Sequence, residues 1–263
     1  MNWDFSGQVA VVTGAASGIG RATALLLARQ GARVFGCDLH AEPELACSLQ
    51  AQGVSLSACD VTSLPDLKQF IDESAATGGG LTLLINNAGI NLVGPPEVIE
   101  EAAWDRCLDV NLKAAFFGVK YALPYFQAAG KGVVINTASN AGLLPRHHDP
   151  VYSLSKVALV GLTKALALNL ARDQVRVNCV CPGPVERTSL LDFDLEHAAD
   201  REQLVTSIIN ASPLARAAGR MMTPEEVAQS IAFLCSDAAA MITGTALAID
   251  GGKSLGVPPP VAP

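Results

Sequence analysis

Seven short apolar segments, separated by stretches with helical periodicity, limit what this 263-residue chain can fold into. The segments are continuous rather than alternating in polarity, which is typical of parallel strands that are buried on both faces. In chain order they read VAVVTG, ARVFGCD, LSACD, LTLLINNAG, GVVINTAS, VRVNCVCPG and TALAIDGG. This order predicts an α/β protein with a doubly wound parallel sheet of about seven strands and helices on both faces.

Helix signals lie between these segments. Ser63 with Pro65, and Thr223 with Pro224 and two glutamates, are typical of helix N-termini. The segment 152–171 is apolar or small around most of its circumference, so as a helix it needs cover on all sides. That cover is either the rest of its own chain or a second subunit, and we favour a subunit interface.

Composition narrows the class of protein. Half of the residues are hydrophobic and 16% are charged, so we predict one domain over residues 1–252, followed by a proline-rich tail over 253–263. The net charge of −7 argues against nucleic acid or an anionic membrane as a partner.

The N-terminus lacks a signal-peptide pattern and no apolar run reaches the length of a membrane span, which predicts a soluble, cytoplasmic protein. Seven cysteines without a CxxC pair favour reduced thiols and no metal site.

A glycine-rich run, TGAASGIG over residues 13–20, follows the first strand and opens a helix. Glycines in this place let the backbone approach a pyrophosphate, whose charge the helix N-terminus favours. The GxxxGxG spacing differs from the general GxGxxG fingerprint, and a simple glycine-rich turn is the alternative. The predicted dinucleotide-binding residues of this run are Gly14, Ser17, Gly18, Ile19 and Gly20.

Acidic residues end the second and third strands. Asp38 follows the glycines at about the distance where a carboxylate bonds the ribose hydroxyls of a dinucleotide. It would repel a 2′-phosphate, and the nearby Ser17 and Leu39 are neutral, so NAD is favoured over NADP as the cofactor. Asp60 and Val61 are predicted to border the adenine, although a strand-end turn is a competing account of Asp60.

Six motifs occur in the order in which one enzyme family carries them. They are TGAASGIG, NNAG at 86–89, Asn111, Ser139, YSLSK at 152–156 and PG at 182–183. Over residues 5–252 the chain therefore resembles the short-chain dehydrogenase/reductase family. The resemblance implies a Rossmann-like subunit and assembly as a homotetramer. It also implies a catalytic set of Asn111, Ser139, Tyr152 and Lys156.

The catalytic chemistry follows from these residue types. Tyr152 and Lys156 are four apart and so share a helix face. A phenol is a poor base at neutral pH, but a nearby ammonium favours the phenolate. Tyr152 can then take the proton of a substrate hydroxyl while a hydride moves to nicotinamide, and Lys156 can also bond the nicotinamide ribose. The Ser139 hydroxyl can polarise the reacting oxygen. For Asn111, the resemblance implies a backbone distortion that holds a water between Lys156 and solvent.

Later strand ends supply further cofactor contacts, which are predicted at Asn87, Gly89, Pro182, Val185 and Thr188. After the PG pair the family often has a hydrophobic residue and then a threonine that bonds the nicotinamide amide. Val185 fits the hydrophobic position, but Arg187 stands where the threonine is expected and Thr188 follows one residue late. Either Thr188 serves through a shifted loop, or Arg187 faces the active site.

The loop before the catalytic tyrosine is rich in potential cations. Arg146, His147 and His148 are expected to line the substrate pocket, with Arg187 as a fourth cation. In an acidic protein this favours a small-molecule substrate that is a polar anion or polyol, such as a sugar, a sugar acid or a sulfonated sugar. The alternative is that Arg146 pairs with Asp149 or another subunit's acid and that the histidines are exposed loop residues.

Three functions remain. The first is an NAD-dependent oxidoreductase that oxidises a secondary alcohol, with residues 188–223 as a lid over the substrate. The second is a ketone or 3-oxoacyl reductase of the same fold, although such enzymes usually prefer NADP and carry a basic residue near the glycine run. The third is a non-catalytic, cofactor-sensing regulator, which the complete catalytic set argues against.

Overall fold

One parallel sheet of seven strands forms the centre of the molecule, in the order β3-β2-β1-β4-β5-β6-β7. The computed structural model describes residues 3–256 apart from Pro145, His147, His197 and Ala199, and leaves out the side chains of Leu190, Phe193 and Asp194. The strands are β1 (Val9–Thr13), β2 (Arg33–Asp38), β3 (Val54–Ala58), β4 (Leu83–Asn86), β5 (Gly132–Thr137), β6 (Val175–Pro182) and β7 (Ala246–Ile249). Each predicted segment forms one of them, so the doubly wound α/β fold is confirmed.

Ten α-helices connect these strands within the described part of the chain. They are α1 (Gly18–Arg29), α2 (Pro43–Gln50), α3 (Leu64–Gly78), α4 (Glu101–Leu108), α5 (Ala114–Ala129), α6 (Pro150–Leu170), α7 (Ser189–Glu196), α8 (Arg201–Asn210), α9 (Pro213–Ala218) and α10 (Pro224–Cys235). Helices α1, α2 and α10 contribute to one apolar core, and α3, α5 and α6 to another on the opposite face of the sheet.

The strand order places a crevice at the carboxyl ends of β1 and β4. The chain winds outward from β1 through β2 to β3 and then resumes on the other side at β4. The loops that follow β1 and β4 therefore leave the sheet in opposite directions, and the gap between them is where sheets of this kind bind ligands. Every predicted catalytic or cofactor residue lies at, or shortly after, such a strand end or on a helix that packs there.

The two predicted helix-start signals behave differently. At α10 the Thr223 hydroxyl accepts a hydrogen bond from the backbone N–H of Glu226 (3.3 Å), while the Glu226 carboxylate accepts one from the N–H of Thr223 (2.8 Å). This reciprocal capping box satisfies two N–H groups that a helix leaves open. Ser63 precedes α3 as predicted, but its side chain makes no capping hydrogen bond.

Helix α6 corrects the expectation that no apolar run of this chain reaches the length of a membrane span. With the turn that follows it, over Pro150–Asp173, it is the only helix among the described residues that is long and apolar enough to cross a membrane. Half of its apolar window is nevertheless buried within the fold, where the helix packs on β6. Leu154, Val157 and Leu168 on its outer side are exposed.

Helices α7 to α9 form within the segment 188–223 that was predicted to be a lid. Leu191 and Leu195 of α7 are buried, and the Ser212 hydroxyl just before α9 donates to the carbonyl of Asp250 after β7 (2.5 Å). Of the predicted tail, Lys253–Leu255 forms a short 3-10 helix, and residues 257–263 lie outside the described residues.

Removing the Thr223 hydroxyl should destabilise the protein measurably. In Thr223→Ala the N–H of Glu226 loses its acceptor, and we expect a loss of about 1 kcal/mol in the free energy of unfolding. Urea unfolding at fixed protein concentration measures the change. Ser63→Ala is the matched control, because that hydroxyl caps nothing. Equal effects of the two substitutions would contradict the role given to the capping box.

Candidate active site

The loop between β1 and α1 has a backbone that only glycine fits. Gly14 and Gly18 have positive φ angles of 67° and 50°, in the left-handed region. A side chain at Gly20 would collide with the carbonyl oxygen of Gly14. Ser17 stands at the N-cap of α1 without a side-chain cap bond, and the first turn has no acidic residue. A cradle that any Cβ would fill, ending at a helix N-terminus, fits the pyrophosphate of a dinucleotide.

Asp38 faces this loop directly. Its Oδ2 accepts a hydrogen bond from the backbone N–H of Ala16 (3.1 Å), and its Oδ1 accepts one from the N–H of His40 (3.2 Å). The carboxylate is therefore held beside the glycine loop, as expected of a group that bonds ribose hydroxyls.

The Asp60 carboxylate is bound by a neighbouring residue of its own turn. Its Oδ1 accepts hydrogen bonds from the backbone N–H (2.9 Å) and the hydroxyl (2.8 Å) of Thr62, and these bonds lower the pKa of the carboxyl. This is the strand-end turn that stood as the competing account of Asp60. The neighbouring Val61 is buried.

Asn87 joins the ends of three strands. Its Nδ2 donates to the carbonyls of Thr13 (3.1 Å) and Gly14 (3.2 Å), and its Oδ1 accepts from the Thr137 hydroxyl (3.2 Å). The Thr13 hydroxyl in turn accepts from the backbone N–H groups of Asn87 and Ala88 (both 3.0 Å). Thr13 and Thr137 were not predicted as site residues. Their polar side chains at the ends of buried strands were the available signal.

Lys156 of α6 is buried, and its Nζ donates to the carbonyl of Thr137 at the end of β5 (3.0 Å). A methyl group at Gly89 would lie 3.3 Å from this Nζ and 3.2 Å from the Oδ1 of Asn111. The absence of a side chain at Gly89 therefore leaves room for the lysine and the asparagine to approach the same loop. Burial lowers the pKa of Lys156 to about 8.

Asn111 lies in the distortion that was expected. Residues Asp109–Lys113 form a π-helical turn between α4 and α5. The side chain of Asn111 accepts from the N–H of Ile90 (2.9 Å) and donates to its carbonyl (3.0 Å), and it also donates to the Ser155 hydroxyl (3.0 Å). The amide thus links the π-helical turn, the loop after β4 and helix α6. Ser155 was missed by sequence reasoning, because a serine inside a helix carries no distinctive pattern.

Tyr152 lies on the first turn of α6 and is buried, and the Ser139 side chain is among the groups that lower its pKa. Burial raises the pKa of Tyr152, and the Ser139 side chain and the charge of Arg146 act against that rise. The Lys156 Nζ is 5.7 Å from the centre of the tyrosine ring. Arg146 is thus a further cation that lowers the tyrosine pKa, in addition to the lysine expected from sequence.

The described members of the four predicted substrate cations, Arg146, His148 and Arg187, pair with carboxylates in two separate places. Arg146 forms an ion pair with the fully buried Asp149, and His148 Nε2 lies 3.7 Å from the same carboxylate. His147 lies outside the described residues. The Arg187 side chain is 61% exposed and binds Glu225 at the start of α10 (2.8 Å) and the preceding residue Glu186 (3.2 Å).

The prediction that Arg187 faces the active site is therefore wrong. Arg187 has a positive φ of 56°, in the left-handed region, and its side chain is exposed. Thr188 instead contacts the glycine loop, since a methyl group at Gly18 would lie 3.1 Å from its Cγ2. The Thr188 hydroxyl donates to the carbonyl of the buried Val185 (2.9 Å). Among the described residues no group of three His, Cys, Asp or Glu side chains is placed to hold a metal.

Comparisons with known proteins agree with this geometry. The profile of a family described as Enoyl-(Acyl carrier protein) reductase matches residues 14–254. The chain is 40% identical over 255 residues to 4-formylbenzenesulfonate dehydrogenase TsaC1/TsaC2 of Comamonas testosteroni, covering 94% of this chain and 98% of that protein. It is 37% identical over 256 residues to cyclohexanol dehydrogenase of Acinetobacter sp. (strain SE19), covering 95% and 96%. A crystal structure of a short-chain type dehydrogenase/reductase from Mycobacterium marinum superimposes with a TM-score of 0.85 at 31% identity, covering 96% and 97% of the two chains.

Proposed function

The chain belongs to the short-chain dehydrogenase/reductase family, and on this premise we propose that it is an NAD-dependent dehydrogenase that oxidises a small secondary alcohol. Oxidoreductase chemistry with a nicotinamide cofactor is common to the family. The choice of NAD and the direction of the reaction are our proposal. The observation that carries it is the cluster at the ends of β4 and β5, where the buried Lys156 donates to the carbonyl of Thr137 and adjoins the loop held by Asn111, with Tyr152 one turn before it on α6.

In the proposed reaction Tyr152 is the general base. Its oxygen takes the proton of the substrate hydroxyl, while the Ser139 hydroxyl donates a hydrogen bond to the same substrate oxygen and fixes its position. The nicotinamide of NAD, when bound, accepts the hydride that leaves the alcohol carbon. A lysine with a pKa of about 8 exchanges protons near neutral pH, so Lys156 can pass the proton on towards the loop held by Asn111.

The cofactor would be held along the crevice between β1 and β4. Asp38 supports NAD over NADP, because its carboxylate is bonded to the glycine loop at the place where a 2′-phosphate would have to fit. The residues we assign to cofactor binding are Gly14, Ser17, Gly18, Ile19, Gly20, Asp38, Val61, Gly89, Tyr152, Lys156, Pro182, Val185 and Thr188. Asn87 and Asp60 border the same crevice and hold its backbone.

The substrate class has two candidates. A small anionic alcohol, such as a sugar acid or a sulfonated sugar, is supported by the similarity to 4-formylbenzenesulfonate dehydrogenase. A neutral cyclic alcohol is supported by the similarity to cyclohexanol dehydrogenase. It also agrees with the pairing of Arg146 and Arg187 with carboxylates, which leaves neither arginine as an uncompensated charge. A 3-oxoacyl or other ketone reductase, which would run the reaction in the opposite direction, is the alternative, and the matching family profile is likewise named after a reductase.

Replacing Tyr152 by phenylalanine should abolish turnover. We expect wild-type protein to reduce NAD with at least one member of a panel of secondary alcohols, sugars and hydroxy acids, each neutral compound being paired with a carboxylate or sulfonate analogue. With that substrate, Tyr152→Phe should lose a factor of ~10²–10⁴ in kcat because the general base is gone. NADH absorbance gives the rate. Tyr125→Phe is the control, since that phenol bonds Asp72 on the surface (2.7 Å). More than a tenth of wild-type activity in Tyr152→Phe would refute the assignment.

Cofactor preference should depend on Asp38. The wild-type kcat/KM should be higher with NAD than with NADP, and Asp38→Ala should reduce this ratio by about tenfold or more, because repulsion of the 2′-phosphate and the ribose bonds are both lost. Glu44→Ala, on the exposed surface of α2, removes the same charge away from the loop and should leave the ratio unchanged. Equal efficiency of the wild type with both cofactors would overturn the assignment.

We further propose a cytoplasmic homotetramer in which the outer face of α6 is covered by another subunit. Leu154, Val157 and Leu168 lie along this face, and Leu168 is 85% exposed in the single chain. Leu168→Arg should therefore lower the molecular mass measured by sedimentation equilibrium, since a charge there would be buried without a partner. Gln52→Arg, an exposed site on the opposite side of the sheet, is the control. A wild-type monomer, or an unchanged mass in Leu168→Arg, would exclude this interface.

A further inference from the structure

A cation that no part of the reaction described above requires lies over the catalytic tyrosine. The guanidinium carbon of Arg146 is 5.2 Å from the centre of the Tyr152 ring, closer than the Nζ of Lys156 at 5.7 Å. Arginine remains charged at any pH at which proteins fold, and its planar group stacks well on aromatic faces. Its location next to the proton-transferring phenol therefore bears on the chemistry.

Arg146 is held in this place by a buried carboxylate. It pairs with Asp149, the residue that precedes α6, whose side chain is fully buried. Ser153, one turn into the helix, binds both partners. Its hydroxyl donates to the Oδ1 of Asp149 (3.0 Å) and accepts from the backbone N–H of Arg146 (3.1 Å). A buried carboxylate without a cation would be strongly unfavourable, so the position of Asp149 fixes that of Arg146.

The two charges act on Tyr152 in opposite senses. Arg146 lowers the pKa of the phenol and Asp149 raises it, and Arg146 has the larger effect of the two. The other polar groups around the phenol are Ser139, Cys107 and Lys156. Lys253, which follows β7, is also near the pair. Burial is the main cause that lowers the pKa of Lys253, and the charge of Arg146 is the next. The Arg146–Asp149 pair therefore has a net electrostatic effect on the Tyr152 phenol, although its formal charges cancel.

We propose that Arg146, oriented by Asp149, is a positioning residue that stabilises the phenolate form of Tyr152 and so supports proton removal from the alcohol. The inference rests on the proposed function only in taking Tyr152 as the proton acceptor. It gives the ion pair a role beyond stability, because an arginine that merely neutralised Asp149 could lie anywhere around that carboxylate.

Two variants separate this role from a structural one. Asp149→Asn keeps the shape of the side chain and removes the negative charge, so the phenolate of Tyr152 should become more stable. The double variant Arg146→Gln/Asp149→Asn removes both charges and leaves no unpaired ion in the interior, so the phenolate should become less stable than in wild type. We expect the tyrosine pKa to rank Asp149→Asn below wild type and wild type below the double variant. The two variants should differ by about one pH unit, a tenfold change in the phenolate fraction at a given pH.

The first measurement needs no substrate. The chain has three tyrosines, so tyrosine labelled with carbon-13 at Cζ gives three NMR signals, of which Tyr152→Phe identifies one. Titration of that signal from neutral pH to the alkaline limit of folding ranks the three proteins. Arg146→Lys, which keeps the charge pair, should titrate close to wild type. The second measurement is the pH profile of kcat/KM for alcohol oxidation, whose acidic limb should move in the same order.

The control is a second arginine–aspartate pair just beyond the far end of α6. Arg172 and Asp173 are 3.6 Å apart, and Arg172→Gln/Asp173→Asn should leave the Tyr152 signal in place. Equal titration in wild type and both test variants would overturn the inference, as would a shift of both variants in the same direction, which is what a purely structural pair would give. Absence of dehydrogenase activity in the wild type would refute the proposed function alone, because the NMR ranking is obtained without turnover.

Discussion

The buried ammonium of Lys156 is the group around which the candidate site is organised. Its direct protein acceptor is the carbonyl of Thr137 at the end of β5, and it adjoins Gly89 after β4. A buried charge requires close polar partners. The strands that supply these partners must therefore end side by side at the same edge of the sheet. The parallel register, in which Asn86 of β4 lies opposite Asn136 of β5, meets that requirement. The π-helical turn at Asn111 then brings an amide to the same loop, which a regular helix would direct elsewhere.

A second network holds the cofactor side of the crevice. The Thr13 hydroxyl and the Asn87 amide connect the end of β1 to the loop after β4 across the point where the chain reverses its winding. These bonds, together with those from the N–H groups of Ala15 and Ala16 to Cys37 and Asp38, hold the backbone of the glycine loop in place. The two networks meet at Thr137, whose hydroxyl binds Asn87 and whose carbonyl binds Lys156. The cofactor side and the catalytic side are thus coupled through one residue.

Charges near the site are largely compensated within the fold. Arg187 binds two glutamates and Arg146 binds Asp149. An acidic chain supplies many such partners, so a count of cations in its sequence overstates the positive charge that a substrate would meet. Within the described part of the cationic loop, Arg146 lies over the ring of Tyr152, so its effect on a substrate would be indirect, through the proton acceptor.

The sequence alone determined the elements and their order, because apolar runs, glycines and helix caps are local signals. It thereby predicted seven parallel strands and the glycine loop with Asp38, and the order of its motifs gave the resemblance that implies the set Asn111, Ser139, Tyr152 and Lys156. Tertiary structure alone decided which charges meet. Nothing in the sequence fixes that Arg187 turns outward in a left-handed conformation to Glu225, thirty-eight residues away, or that Thr188 takes the inner place. Burial likewise decided the sign of the Tyr152 pKa shift, since desolvation depends on every layer packed around a side chain and not on its neighbours in the chain.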